Sequence, residues 1–361
     1  MGILTKILLA PFSLLYGSGV WLRNYLYNKH FLRSIHFDVP VINVGNLSTG
    51  GTGKTPHVDY LINLLKAQYP VGMLSRGYRR SSSGYRDVNI DSTALEVGDE
   101  PLLIKWKHPE IAVAVSEDRA TGIPGLVSEK PLGFTVILDD AFQHRTIRAG
   151  LNILLTPYNN LYTDDWILPM GNLREFRNGA DRADIIIVSH TPTTLSKTER
   201  EQVVAKLAPK AYQHVFFSHI QYQRPYQVFQ ERLLPAAFNE KQQVVLLTGI
   251  ANSDKIRSYL EIQCQEVFER RFADHHSFTQ QDIESVINTY NNIEGQEKII
   301  VTTEKDLTRM MPFAASFNKA GVKLLCLPIK VNFVPEEKRR FDRAIHFFVE
   351  KTLEEYTKGE N

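Results

Sequence analysis

The chain has 361 residues, a formal net charge of +2 and a hydrophobic fraction of 43%. This length accommodates two domains with cores of their own, and the small net charge excludes a general nucleic-acid partner. Two cysteines, Cys264 and Cys326, are too few for a disulfide framework or a zinc cluster, which favours a reducing compartment.

The N-terminal segment, residues 1–37, combines apolar and basic residues and contains no acidic one. A transmembrane helix needs about 20 uninterrupted apolar residues, whereas Lys6, Pro11, Gly17 and Gly19 interrupt this run. Aliphatic and aromatic side chains beside cations are typical of a helix that lies at a membrane surface, so we expect such a helix here. The alternative is a helix packed on its own domain.

Residues 39–55 read V-P-V-I-N-V-G-N-L-S-T-G-G-T-G-K-T and predict a strand, a glycine-rich loop and the start of a helix. This order is that of a P-loop, in which backbone N–H groups and a helix N-terminus face phosphate oxygens. The expected nucleotide-binding residues are Ser48, Thr49, Gly50, Gly51, Thr52, Gly53, Lys54 and Thr55. We expect Lys54 to reach the β/γ-phosphates of ATP as a catalytic cation, and Thr55 to ligate Mg²⁺. Ser48 stands where the motif has its first glycine, and the alternative is an ordinary glycine-rich turn.

Strand-like and helix-like segments alternate over residues 38–214, which predicts a P-loop NTPase-like domain with a parallel sheet. Residues 215–334 predict a second, smaller α/β domain, with extended connections at both ends that form a two-stranded linker. The helical pattern of residues 335–361 is expected to pack back on the first domain. The predicted fold class is therefore α/β with an N-terminal membrane-surface helix, and we expect the active site in the cleft between the domains.

Polar side chains follow several strands of the first domain. Asp139 and Asp140 end the most strongly β-like stretch and are expected to hold Mg²⁺, although a solvated strand end is the alternative. Gln143 and His144 come next, and Arg76 and Arg119 follow other strands, so we expect all four at the same sheet edge. Arginine there can bind anionic oxygens with two parallel hydrogen bonds, or it can be a simple surface cation.

Asp99 is the candidate general base, because a kinase that accepts an alcohol needs a carboxylate near the attacking hydroxyl. Its competing role is to cap the helix that begins there. In the second domain Asp274, His275 and His276 form a cluster that is too small for a zinc site. A histidine presented across the cleft would orient Asp99 and accept its proton. Residues 303–306, Thr-Glu-Lys-Asp, either contact the adenine end or the hinge, or begin a helix.

Eight short motifs occur in a fixed order along the chain. They are G-N…G-G-T-G-K-T-P (45–56), S-R-G-Y (75–78), G-D-E-P (98–101), D-D-x-x-Q-H (139–144), N-L-R-E (172–175), G-I-A-N (249–252), F-x-D-H (272–275) and T-E-K-D (303–306). Together they resemble the tetraacyldisaccharide 4′-kinase family, the lipid A 4′-kinases, over nearly the whole chain.

The resemblance implies ATP- and Mg²⁺-dependent phosphorylation of the 4′-hydroxyl of tetraacyldisaccharide 1-phosphate to lipid IV-A, in lipopolysaccharide biosynthesis. It implies a peripheral enzyme on the cytoplasmic face of the bacterial inner membrane, which we expect to be a monomer. Asp99 would be the base with His275 as its partner, and Asp139 and Asp140 would serve the metal. The expected substrate-binding residues are Arg76, Tyr78, Arg119, Gln143, His144, Asn172, Arg174 and Glu175.

Two other functions share part of this pattern. A membrane-docked P-loop NTPase switch acting on a protein partner needs the loop and the N-terminal helix, but it does not need a second domain carrying Asp274 and His275. A soluble kinase for a small alcohol needs no membrane helix. A GTPase would carry Asn-Lys-x-Asp where this chain has residues 303–306.

Overall fold

In a computed structural model of the chain, residues 3–229 and 234–359 are described. The outermost two residues at each end of the chain, and residues 230–233 of the predicted second domain, lie outside the described residues. The helices are α1 Ile3–Asn28, α2 Lys54–Leu65, α3 Ala94–Val97, α4 Asp99–Lys107, α5 Arg119–Val127, α6 Lys197–Leu207, α7 Asp254–Glu261, α8 Gln280–Asn292, α9 Glu304–Met310, α10 Ala314–Lys319 and α11 Pro335–Gly359, with 3₁₀ turns at Tyr162–Asp164, Arg177–Arg182 and Met311–Phe313.

The strands form a larger and a smaller sheet. They are β1 Val41–Asn46, β2 Val71–Ser75, β3 Arg86–Asp87, β4 Ala112–Val115, β5 Thr135–Asp139, β6 Leu151–Pro157, β7 Ile185–Ser189, β8 His214–Tyr222, β9 Tyr226–Gln227, β10 Leu234–Pro235, β11 Gln243–Thr248, β12 Glu266–Arg271, β13 Lys298–Thr303, β14 Leu324–Leu327 and β15 Ile329–Phe333. We call the parts of the chain built on the two sheets the first and the second lobe.

The larger sheet has nine strands in the order β15-β8-β7-β6-β1-β5-β2-β4-β3. Only its outermost pairs, β15 with β8 and β3 with β4, are antiparallel among the described strands. The central strands β1, β2, β5 and β7 are buried along their whole length, as expected for a parallel sheet covered by helices on both faces. The predicted α/β class and its parallel sheet are therefore confirmed.

The smaller sheet has the order β10-β9-β14-β13-β11-β12. Strands β12, β11, β13 and β14 run parallel, and the short strands β9 and β10 close one edge in antiparallel pairs. Thr303 caps α9 and accepts a hydrogen bond from the Asp306 backbone N–H, so a helix begins at the Thr-Glu-Lys-Asp motif.

The two connections between the lobes are extended and paired with each other. Residues Ser218–Tyr222 of β8 run antiparallel to β15, and β8 also pairs with β7, so the connections extend the larger sheet. Helix α11 follows β15 and returns to the first lobe, where Phe341, Ile345 and Val349 are buried in the same core cluster as Ile62 of α2.

Helix α1 packs on the first lobe along one side only. The Ser13 hydroxyl donates to the Ile167 carbonyl, and the Tyr16 hydroxyl donates to the Arg174 carbonyl at 2.9 Å. On the opposite side Leu8 and Leu15 are 72% and 75% exposed. Within the described ranges, no helix has the length and apolar character required to cross a membrane.

Candidate active site

The loop between β1 and α2 lies at the carboxyl edge of the larger sheet. Gly53 has a φ of 86°, and a Cβ there would lie 3.3 Å from His190 Nε2, so the position requires glycine. Thr52 is held from two sides, because its hydroxyl accepts from Asn46 Nδ2 at 2.9 Å and its carbonyl accepts from Ser189 Oγ at 2.8 Å. Lys54 begins α2, so the free N–H groups of the first helical turn face the loop. This arrangement suits a bound phosphate.

Asp140 lies between two cations. Lys54 Nζ is 3.7 Å from one carboxylate oxygen, and Arg174 donates to both oxygens at 2.8 and 3.2 Å. Arg174 also contacts the Asn46 side chain. Burial alone would raise the pKa of Asp140, but Lys54 and Arg174 hold it below its usual range. Asp140 is therefore ionised and fixes both cations beside the loop.

Asp139 is buried at the end of β5, where Ser75 Oγ donates to its Oδ2 at 3.3 Å. Its Oδ1 is buried and has no hydrogen-bond partner among the described residues. Burial, followed by the neighbouring Glu100 and Asp140 carboxylates, raises the pKa of Asp139 to about 7. A divalent cation would relieve this crowding of carboxylates, so the residues fit Mg²⁺. Glu100 was not among the residues expected from the sequence.

Asp99 lies at the start of α4, is 4% exposed, and faces the second lobe. His275 Nδ1 is 3.0 Å from its Oδ2, and Arg309 Nε is 3.9 Å from the same oxygen. Lys305 Nζ lies 2.9 Å from Glu100 Oε1 and 3.2 Å from His275 Nε2. Burial would raise the pKa of Asp99, but the hydrogen bond with His275 and the charges of Lys305 and Arg309 hold it below its usual range. The carboxylate is therefore ionised and can accept a proton.

The partners of His275 define its tautomer. An ammonium group can only donate, so His275 Nε2 accepts from Lys305 and Nδ1 carries the proton that is donated to Asp99. His276, which the sequence could not distinguish from His275, instead lies 3.0 Å from Asp282 Oδ2. The geometry brings Asp99 together with His275 and not with His276.

Residues of the Ser-Arg-Gly-Tyr motif lie beside this pair. The Tyr78 ring meets the His275 ring edge-on with 5.1 Å between centroids, and the Tyr78 side chain is half exposed. Arg79 donates to the Asp274 and His275 carbonyls at 3.3 and 3.1 Å, which joins the lobes. Arg76 is exposed at the same edge. Tyr78 and Arg76 are therefore accessible to a ligand in the cleft.

Other expected substrate residues are engaged by the protein itself. Arg119 is 1% exposed and donates to the Ser116 and Asp139 carbonyls at 2.8 and 3.2 Å. Burial lowers the pKa of Arg119 to about 10. His144 is partly exposed, with Nε2 3.2 Å from Asp118 Oδ1. Arg119 thus contacts the carboxyl ends of the strands from inside the protein. His144 lies instead at the open side of the cleft.

Glu175 is fully buried at the base of the site. Its carboxylate accepts from Asn24 of α1 at 2.9 Å, from Gln143 at 3.0 Å and from Arg182 at 2.7 Å. Asn172 likewise donates its side-chain N–H to Asp165 at 3.1 Å, and its carbonyl accepts from the Thr49 N–H of the loop between β1 and α2. These polar groups hold α1, the loop between β1 and α2 and the segment after β5 in one arrangement.

An α/β fold with a phosphate-binding loop and a facing carboxylate is typical of the phosphotransferases. Residues 5–347 match the family model described as tetraacyldisaccharide-1-P 4′-kinase. The chain belongs to this family, and the resemblance found in the sequence is confirmed.

Two relatives and one solved structure agree with this assignment. The chain is 41% identical to the tetraacyldisaccharide 4′-kinase of Flavobacterium johnsoniae, over 98% of this chain and 100% of the relative. It is 40% identical to the tetraacyldisaccharide 4′-kinase of Bacteroides thetaiotaomicron, over 94% of this chain and 92% of the relative. The crystal structure of the "apo" form of LpxK from Aquifex aeolicus in complex with ATP has a TM-score of 0.71 at 31% identity, over 96% of this chain and 99% of that chain.

Proposed function

We propose that this protein transfers the γ-phosphoryl group of ATP to the 4′-hydroxyl of tetraacyldisaccharide 1-phosphate, which gives lipid IV-A. The observation that carries the proposal is the Asp99–His275 pair, which faces the nucleotide edge from the start of α4. The charge of the next residue, Glu100, contributes to the raised pKa of Asp139, which supports assigning the proposed base and the proposed metal-binding carboxylates to one site.

In the proposed mechanism Asp99 removes the proton of the 4′-hydroxyl as the oxygen attacks the γ-phosphorus and ADP leaves. His275 keeps Asp99 oriented, because Lys305 fixes the tautomer that donates to the carboxylate. Mg²⁺, when bound, offsets the charge of the phosphates. Thr55, Asp139 and Asp140 would hold the ion.

Nucleotide binding is assigned to the loop from Ser48 to Thr55. Its backbone N–H groups and the N-terminus of α2 would surround the phosphates, and Lys54 would exchange its contact with Asp140 for a phosphate oxygen. The buried ring of His190 supports the loop from behind at Gly53.

The sugar-phosphate end of the substrate is assigned to two groups of residues. Arg76, Tyr78 and His144 border the open side of the cleft and would contact it directly. The residues of the second group are bound by the protein itself and would act on the substrate by positioning the loops around it. They are Arg119, Gln143, Asn172, Arg174 and Glu175.

We further propose that α1 rests on the cytoplasmic face of the bacterial inner membrane and that the enzyme acts there as a monomer. Support comes from the apolar side chains that α1 turns away from the protein, with Leu4 and Leu8 at 85% and 72% exposure. In vesicle flotation, Leu4→Asp and Leu8→Asp should each weaken binding to bilayers. Leu132→Asp is the matched control, because Leu132 is 80% exposed outside α1; an equal loss in all three variants contradicts the assignment.

The function is tested with the purified full chain, ATP, Mg²⁺ and the lipid substrate in mixed micelles. The expected result is ADP and a phosphorylated lipid in equal amounts, with little ADP formed without lipid. Nucleotide hydrolysis that is independent of lipid and yields no phosphorylated lipid contradicts the kinase and favours the NTPase switch. The relatives do not favour the NTPase switch. The two compared sequences are named tetraacyldisaccharide 4′-kinase, and the compared solved structure is that of LpxK.

A further inference from the structure

His275 has a backbone conformation that residues other than glycine rarely adopt. Its φ is 55°, in the left-handed region, where the Cβ of an L-residue crowds the following carbonyl oxygen. The residue lies in a tight turn, which the His276 N–H closes by donating to the Ala273 carbonyl at 3.0 Å. Such a conformation persists where the surrounding structure enforces it. The contacts that hold this turn therefore also set the direction of the His275 ring.

The second lobe holds the amide side of the turn. The His275 N–H donates to the Gly249 carbonyl at 3.1 Å, and the same carbonyl accepts from Arg309 Nη2 at 2.9 Å. Arg309 is in turn paired with Asp306 of α9. The amide of His275 is thus fixed to two other segments of its own lobe, the end of β11 and helix α9.

The first lobe holds the carbonyl side of the turn. Arg79 Nη1 donates to the His275 carbonyl at 3.1 Å and to the Asp274 carbonyl at 3.3 Å. The Arg79 guanidinium also lies 5.6 Å from the centre of the Tyr78 ring, and that ring meets the His275 ring edge-on. Arg79 therefore contacts the backbone of the turn directly, and the neighbouring Tyr78 contacts its imidazole.

The loop that carries Arg79 lies against the start of α4. A Cβ on Gly98, the residue before Asp99, would lie only 3.1 Å from the Cα of Gly77. This close approach of the two backbones fixes the loop relative to the N-terminus of α4. Arg79 thus connects the segment that presents Asp99 with the turn that presents His275.

We propose that Arg79 is a positioning residue for phosphoryl transfer, which holds the His275 turn so that the imidazole is directed at Asp99. The inference rests on the proposed function, in which Asp99 accepts the proton of the attacking hydroxyl. Arg79 acts through the backbone carbonyls of the turn and not through contact with the substrate. When these carbonyls are released the turn relaxes, and the hydrogen bond between His275 Nδ1 and Asp99 Oδ2 is weakened.

The test compares the full chain with Arg79→Gln in steady-state kinetics with ATP, Mg²⁺ and the lipid substrate. We expect kcat to fall about 5- to 20-fold, since the turn loses charge-assisted hydrogen bonds, whereas KM for ATP and for the lipid should change little. Arg79→Lys should retain part of kcat, because lysine keeps the charge and a donor. Arg86→Gln is the matched control and should leave kcat unchanged, since Arg86 is a half-exposed arginine of the same connection between β2 and β4 and pairs with Glu96.

A double-variant cycle separates this role from a general structural one. If Arg79 acts through His275, Arg79→Gln should lower kcat in the wild type but not in the His275→Ala background. Equal losses in both backgrounds overturn the proposal, because Arg79 would then act independently of His275. An unchanged kcat in Arg79→Gln also overturns it, and so does a rise in the lipid KM without a loss of kcat.

NMR of the full chain containing isotope-labelled histidine is a readout independent of turnover. The ring signal of His275 is the one that disappears in His275→Ala. In the wild type it should report the tautomer with the proton on Nδ1, and Arg79→Gln should shift it. An identical His275 signal in Arg79→Gln overturns the proposal. A wild type in which Arg79→Gln shifts this signal, but which phosphorylates no lipid, refutes the kinase function and leaves the positioning of His275 by Arg79 standing.

Discussion

His275 Nδ1 lies 3.0 Å from Asp99 Oδ2, although 176 positions separate the two residues in the chain. Asp99 begins α4 of the first lobe, and His275 follows β12 of the second. The contact therefore forms only when the two sheets are brought together. Lys305 completes it from the second lobe by fixing the tautomer of His275.

Asp99→Asn should lower kcat by about 10²- to 10⁴-fold, because an amide cannot accept the proton of the attacking hydroxyl. Nucleotide affinity should change little, since Asp99 is not part of the loop between β1 and α2 that we propose to bind the nucleotide. Steady-state kinetics with the lipid substrate and titration with a fluorescent ATP analogue measure the two quantities. Turnover equal to that of the wild type removes Asp99 from the role of base.

His275→Ala should also lower kcat, because Asp99 loses the hydrogen bond that orients it. His276→Ala is a matched control: the two histidines are adjacent, but His276 pairs with Asp282. A larger loss of kcat in His276→Ala than in His275→Ala contradicts the proposed pair.

Lys305→Met should shift the acidic limb of the pH profile of kcat/KM to higher pH. Burial favours the neutral form of Asp99, whereas the hydrogen bond with His275 and the charges of Lys305 and Arg309 favour the anion and lower its pKa. Removing Lys305 removes one of these cations, so the pKa of Asp99 rises and the base is lost earlier as pH falls. Because His275 still contacts the carboxylate, activity should recover as pH rises. A profile that is reduced equally at every pH argues against this electrostatic role.

Asp139→Asn should raise the Mg²⁺ concentration needed for half-maximal activity, since the carboxylate with the unpartnered buried oxygen becomes an amide. Removing divalent ions with a chelator should abolish turnover in the wild type, and added Mg²⁺ should restore it. Asp91→Asn, at an exposed position, is the control. An unchanged Mg²⁺ dependence in Asp139→Asn excludes Asp139 as a ligand.

Asp59→Asn should lower the free energy of unfolding by about 2 kcal/mol at neutral pH, because the buried carboxylate loses its charge-assisted contacts with His108 and Lys107, although Lys107 keeps its contact with Glu304. Asp59 of α2 lies 2.6 Å from His108 Nε2 and 2.9 Å from Lys107 Nζ. Lys107 is also 3.2 Å from Glu304, so this cluster joins α2, α4 and the second lobe.

The effect of Asp59→Asn should depend on pH. Burial would raise the pKa of Asp59, but its hydrogen bond with His108 and the charge of Lys107 hold the pKa below the unfolded value of 3.8. The stabilisation is therefore present above 3.8 and is lost as pH falls through the folded pKa. Thermal unfolding at a series of pH values should show wild type and variant converging in acid. A constant difference at every pH contradicts the role of the ionised carboxylate.

The local structure around the candidate site follows directly from the nearby sequence. A glycine-rich stretch after a β-branched run predicts the loop between β1 and α2, and Asp139 ends a strand in the structure, as the sequence predicts. These features depend on residues within a few positions of one another. The same local rules gave a helix start as one of two interpretations of residues 303–306, and Thr303 caps α9 in the structure.

Apart from the histidine expected opposite Asp99, the contacts between distant side chains could not be predicted from the residues alone. Glu175 is the centre of a buried hydrogen-bond network with Asn24 and Arg182, and nothing near it in the sequence indicates burial. Glu100 was identified as part of the candidate site only from the structure, in which its carboxylate acts on Asp139. The sequence predicted a two-stranded linker, but the register in which β8 pairs with β15 is set by long-range hydrogen bonds and required the structure.

Helix α1 contributes the Asn24 amide to Glu175 and the Tyr16 hydroxyl to the Arg174 carbonyl, and a Cβ on Gly17 would lie 2.8 Å from the Phe176 ring. The element that we propose to face lipid is thus also a structural wall of the candidate active site. A water-soluble version of the enzyme cannot be engineered by deleting the helix, because deletion would uncover Phe176 and leave Glu175 without one of its donors. Solubilisation should instead replace the outward side chains Leu4, Leu8 and Leu15 and leave the inner side of the helix intact.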